Sequence, residues 1–176
     1  MKRTLFSIAA FIAVFTLFSS KASAQSTTGN VPVSIVLSDA FSITLGPTPD
    51  VVFTYSGAPD YAGSKTVAKT NHFTVVSNKA YSVSVVATSA FTVNAANATP
   101  VPLNIVQVTV DPTTPTTGAT YATAALSTTP AALATGATGT VGTAYNINYT
   151  IPSAAALIGK AAGTYATNIT YSVTQP

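Results

Sequence analysis

Apolar and polar residues alternate with a period of two through most of this 176-residue chain. Successive side chains on a strand point to opposite faces, so the pattern specifies strands with one buried face. Val31, Val33, Ile35 and Leu37 are spaced this way, and Phe41, Ile43 and Leu45 continue the pattern. Val51, Phe53 and Tyr55 form a third run after the turn signal Gly46-Pro47-Thr48-Pro49. Phe73 and Val75, then Tyr81, Val83 and Val85, flank Ser77-Asn78-Lys79, which reads as a hairpin turn. Phe91 and Val93 add a short piece, and the apolar run Leu103 to Val110 reads as a central strand covered on both faces. Tyr145, Ile147, Tyr149 and Ile151 alternate with Asn and Thr, and Tyr165 to Val173 does the same near the end of the chain. The expectation is an all-β fold, an Ig-like, Greek-key antiparallel β-sandwich of about seven to nine strands.

Two stretches depart from the pattern. Residues 111–144 are almost wholly Thr, Ala, Gly, Pro and Ser, with Tyr121, Leu126, Leu133 and Val141 as the larger apolar residues. They read either as an exposed binding or assembly loop or as a hairpin of small residues with weak register. Ser153 to Ala162 is Ala-rich and reads as a short helix capped by Ser153 and ended near Gly163.

The first 24 residues have a different layout. Lys2 and Arg3 precede an apolar core, Leu5 to Phe18, and Ala22-Ser23-Ala24 supplies the small residues of a cleavage site. This is the pattern of a secretory signal peptide. Its core falls short of the roughly 20 residues that span a bilayer. Cleavage before Gln25 leaves one domain, residues 25–176, with no integral membrane segment. No Cys occurs, so neither lipid attachment to a thiol nor a disulfide framework is available, which favours a bacterial source.

The formal charge of +3 belongs to that leader. Beyond it Lys65, Lys69, Lys79 and Lys160 balance Asp39, Asp50, Asp60 and Asp111. Four scattered Lys cannot neutralise a run of phosphates, which excludes nucleic acid as a partner. Only 6% of the chain is charged, against about 25% in ordinary soluble domains. A surface of Thr, Ser, Asn and Gln carries little charge repulsion and favours association with copies, with neighbouring surface proteins or with a neutral matrix.

The same inventory argues against an enzyme. The residues after the leader include no Glu, Arg or Cys, and the four Asp stand singly in turn-like settings. No calcium loop, phosphate loop or nucleophile elbow is present. His72, opening the strand His72-Phe73-Thr74-Val75, lacks the companions of a metal site and reads as a strand-end histidine. No cofactor or metal is expected. Asn97, Asn148 and Asn168 each begin an Asn-x-Thr triplet, but 29 Thr follow the leader and such triplets arise by chance.

Two binding possibilities remain. The segment Val31 to Leu37, behind the polar lead Gln25 to Asn30, has the form of a strand that adds to the sheet edge of a neighbouring subunit. Val31, Val33, Ile35 and Leu37 would then insert. The alternative is pairing within its own domain, and Pro32 marks an edge strand in either case. Tyr55 and Tyr61, beside the turn Gly57-Ala58-Pro59-Asp60, are the candidates for stacking on a sugar; their alternative role is packing at an edge.

The segment Ala162-Gly163-Thr164-Tyr165 through Thr174 resembles the last strand of several bacterial surface β-sandwich families. These are WxL-type wall-associated domains, spore-coat-U and fimbrial-type subunits, and DUF4402-like surface proteins. Tyr81-Ser82-Val83 and Tyr171-Ser172-Val173 stand where a WxL domain has its paired Trp-x-Leu motifs, though neither Trp nor Leu is present. The resemblance implies the sandwich fold and a cell-surface or extracellular location. The expected function is an exported, non-catalytic structural subunit, self-associating by strand addition. The second expectation is a module that binds carbohydrate or peptidoglycan in the cell wall or outside the cell.

Overall fold

The computed structural model of the chain describes residues 29–94, 99–114 and 116–175. The leader expected over residues 1–24 and the triplet at Asn97 lie outside the described residues. The chain divides into two units, Met1–Leu37 and Ser38–Pro176. In the first, residues 29–37 form neither helix nor strand and are exposed throughout.

The second unit is a two-sheet antiparallel sandwich. Its strands are β1 (Phe41–Leu45), β2 (Lys65–Ser77), β3 (Tyr81–Ala87), β4 (Thr92–Val93), β5 (Gln107–Val110), β6 (Thr120–Tyr121), β7 (Ala124–Ala125), β8 (Ala131–Ala137), β9 (Thr140–Ile151), β10 (Tyr165–Ala166) and β11 (Ile169–Thr174). One sheet has the order β1-β2-β9-β5-β7, the other β11-β3-β8-β6, and β10 pairs with β4 alone. The core lies between the two main sheets. One inner face contributes Phe73, Val75, Val108, Tyr145, Ile147 and Tyr149, and the other contributes Tyr81, Val83, Val85, Leu133 and Tyr171. Each such side chain is worth roughly 1.5–3 kcal/mol on full burial, so the two inner faces supply the driving force for folding.

Several local expectations change in the structure. Ser77-Asn78-Lys79 does turn the chain, but β2 and β3 belong to different sheets, so the turn is an arch across the core and not a hairpin. Both flanking strands carry a buried face, and facing those surfaces toward each other buries both at once. Ser77 is itself buried, and its hydroxyl bonds the Lys79 carbonyl at 2.8 Å, holding the arch.

Residues 111–144, expected as a loop or hairpin, contain β6, β7, β8 and the start of β9, in both sheets. Ala124, Leu126, Leu133, Ala134 and Ala137 are core residues there, because small side chains suffice where β8 lies between β3 and β6. Val51–Tyr55 is not a strand. It packs against the core, and its neighbouring carbonyls at Thr48 and Thr54 receive the amines of Lys69 and Lys65. Leu103–Ile105 is a 3-10 turn, and β5 buries only Val108 and Val110 while Gln107 and Thr109 stay partly exposed. The Ala-rich segment forms only the 3-10 turn Ala154–Leu157, capped as expected by Ser153 and followed by Gly159 at φ 75°. The last alternating run is two strands, β10 and β11, because Thr167 turns its hydroxyl to the Ser89 carbonyl between them.

Candidate strand-acceptor edge

Both main sheets end on one flank, at β1 and at β11. The register of β1 places Phe41, Ile43 and Leu45 opposite Ser77, Val75 and Phe73. Opposed residues share a face, and the three on β2 are fully buried. Phe41 and Leu45 nevertheless remain 56% exposed. They face the interior, but the other sheet stops at β11 and leaves them uncovered.

β11 pairs with β3, Tyr171 opposite Val85 and Val173 opposite Val83. The Thr88 amide donates to the Asn168 carbonyl at 2.9 Å, which fixes the phase of the ladder. Thr170, Ser172 and Thr174 then bond β3, and the backbone groups of Ile169, Tyr171 and Val173 point outward. Among the described residues nothing hydrogen-bonds to them. Beside Phe41 the Gln175 amide reaches across the flank and donates to the Ser77 hydroxyl at 2.8 Å. An unpaired edge of this kind accepts another strand.

A polar chain underlies the edge. Asn71 takes a left-handed φ of 50°, which Asn tolerates, and a register shift in β2 follows. The bulge turns His72 inward beside Phe73. His72 is thus not at a strand end but in the middle of a 13-residue strand, 4% exposed. Its Nε2 lies 2.8 Å from the Tyr149 hydroxyl, which bonds the Tyr171 hydroxyl in turn. Burial, aided by Lys69, lowers the histidine pKa from its ordinary value. Burial pushes the Tyr149 phenol up to about 12 and raises Tyr171 further. Gly46 abuts this bulge. Its N–H donates to the His72 carbonyl at 2.8 Å, and a Cβ there would lie 2.4 Å from the Asn71 carbonyl oxygen.

The candidate donor residues Val31, Val33, Ile35 and Leu37 are 78–85% exposed and outside any strand. The stacking candidates do meet: the Tyr55 and Tyr61 rings are 5.1 Å apart, tilted by 50°. The Lys65 amine sits 4.9 Å from the Tyr55 ring centre and 2.7 Å from Asp60. That amine, with the Ser56 and Gly57 amides, holds the Asp60 carboxyl well below its ordinary value. Tyr55 is half-buried against the core, so Tyr61 offers the freer ring.

The two Tyr-Ser-Val motifs lie on adjacent strands, with both tyrosines buried. The remaining ionisable groups are dispersed. Asp39 pairs with Lys79, Asp60 with Lys65, and Asp111 bonds Thr113 and Asn148. Among the described residues no three His, Cys, Asp or Glu gather as a metal site. Cavities of about 160 and 300 Å³ lie near Thr140, lined by hydroxyl and small apolar side chains. Among the described residues no helix is long and apolar enough to cross a membrane.

Sequence alternation pointed to the candidate donor segment; the candidate acceptor edge had no sequence signal, because an open edge is a property of sheet order. No family model and no curated protein matches the chain.

Proposed function

We propose that this is an exported, non-catalytic structural subunit of a bacterial surface, periplasmic or extracellular assembly, joined to its own copies by strand addition. The segment Val31–Leu37 of one copy pairs along the outer edge of β11 in the next, and Val31, Val33, Ile35 and Leu37 fill the flank beside Phe41 and Leu45. The observation carrying this reading is the match between an exposed, alternating apolar segment and a sheet edge whose interior face is uncovered. Burying four aliphatic side chains yields roughly 6–12 kcal/mol. Association costs a similar amount, so the new backbone hydrogen bonds along β11 set the affinity. The leader-like residues 1–24 and the near absence of charge support export and association.

Light scattering and negative-stain imaging of residues 25–176 test the reading. Concentration-dependent polymers are expected, and a strict monomer at high concentration rejects it.

A second reading, a module for wall or extracellular polysaccharide, is favoured by the Tyr55–Tyr61 pair. Retention on insoluble wall polysaccharide that Tyr61→Ala removes would support it; no retention eliminates it.

A further inference from the structure

We propose that His72 is a proton switch on strand addition: the neutral imidazole holds β11 in register to receive a strand, and the imidazolium releases it. The inference rests on the strand-addition reading and adds its regulation.

The chain from His72 through Tyr149 to Tyr171 runs from β2 and β9 in one sheet to β11 in the other. The His72 ring meets the rings of Tyr149 and Tyr171 edge-on, at 5.5 and 5.6 Å. It is a polar tie across the core that ends on the edge strand, since Tyr171 contributes both a buried phenol and outward backbone groups.

The other ring nitrogen, Nδ1, is buried without a hydrogen-bond partner. A bare lone pair is tolerated there better than an unsatisfied N–H. The favoured tautomer therefore donates from Nε2 to the Tyr149 oxygen, and Tyr149 donates on to Tyr171. Protonation would place a hydrogen on Nδ1 with no acceptor and a charge with no counter-ion. The groups facing the ring are Tyr149 from β9, Tyr171 from β11, and Phe73 from its own strand, with the Lys69 cation on β2 also acting on it. Among the described residues no carboxylate pairs with it.

An imidazolium in that position gains solvation only if one neighbour moves. β9 is paired along both edges, with β2 and β5, whereas β11 is paired along one edge, with β3. β11 is the strand that yields, and it carries the acceptor edge with it.

The direction follows from linkage. An exposed histidine titrates near 6.5, and the buried one binds its proton less readily. Closure of β11 is therefore complete above about pH 6.5 and is lost as the pH falls below it.

Hydrogen exchange of the Thr170, Ser172 and Thr174 amides, the ones that bond β3, corrected for intrinsic rates, tests the switch at pH 7.5 and 5.5. The protein is the full residue 25–176 chain with Val33→Asp and Ile35→Asp, so that the edge stays empty. Protection of those amides should fall, by at most about tenfold one pH unit below the reference value, while β5 and β9 hold theirs. His72→Gln should abolish the difference. Equal protection at both pH values, or the same fall in His72→Gln, overturns the proposal. If His72→Gln does not fold, Lys69→Ala replaces it: removing the cation that opposes protonation in the closed state should lower the pH at which β11 opens, and an unmoved pH overturns the proposal.

The unsubstituted chain is followed by light scattering over the same range. Polymers that dissociate with the exchange midpoint support the switch, and polymers indifferent to pH overturn it. A chain monomeric at every pH instead overturns the strand-addition reading, even where exchange shows β11 opening.

Discussion

Val31–Leu37 and Ile169–Val173 carry the same alternation and have opposite fates. In β11 every second side chain is packed, with Tyr171 and Val173 only 9% exposed. In the N-terminal segment the corresponding residues lie in solvent. A strand needs a partner edge as well as a pattern, and β3 supplies one to β11. The difference teaches that alternation encodes the capacity to be buried, while sheet order decides whether it is used.

The comparison breaks most directly at a packed position. Tyr171→Ala should cost about 3–5 kcal/mol in urea unfolding, as large-to-small core changes do. Val33→Ala should cost less than ~0.5 kcal/mol in the monomer. An equal loss at Val33 would mean that the N-terminal segment is packed within its own chain.

Next in size is the effect on association. Val33→Asp with Ile35→Asp should weaken self-association about 100-fold or more, because two carboxylates would enter an apolar flank. Val36→Asp, on the other face of the alternation, should change it only a few-fold. Sedimentation velocity reads both, and equal effects would refute insertion with alternating faces.

Alkali tests the tyrosine layer that the exposed segment lacks. Tyr149 in the folded state titrates near 12, above the ordinary 10, so its neutral form favours folding below about pH 10. That contribution is lost as the pH rises through 12. The part of the tyrosinate absorbance that Tyr149→Phe removes should appear together with loss of the β circular dichroism signal. Ionisation of that tyrosine at pH 10 with the fold intact would contradict its burial.

The smallest effect concerns the outer face of β9. Thr113 and Asn148 hold the Asp111 carboxyl below its ordinary pKa. Its stabilisation is present above about pH 4 and fades as the pH falls through the lowered value. Asp111→Asn should lower Tm at neutral pH by no more than ~2 °C, and the difference should shrink in acid.

Legibility in the sequence followed contrast. Tyr81–Val85, Tyr145–Ile151 and Ile169–Val173 set bulky apolar residues against Ser, Thr and Asn, and each is a strand. Lys65–Thr70 opens β2 without being readable, because two Lys stand at its inward positions and reach the carbonyls of Thr48 and Thr54. β6 to β8 were hidden because Ala and Thr differ little in hydrophobicity. Tyr55 and Tyr61 were legible as neighbours through their turn. His72 was not legible as a buried bridge, because a left-handed Asn71 and two tyrosines distant in sequence place it there.

The sequence by itself determined a β-rich chain, a leader-like start, a neutral remainder and a donor-like segment, because period, charge and composition are local properties. The tertiary structure alone decided that the Ser77 turn crosses the core, that β11 keeps an edge unpaired among the described residues, and that His72 lies beneath β11. Those outcomes depend on which distant strands pair, and no local pattern encodes the partner.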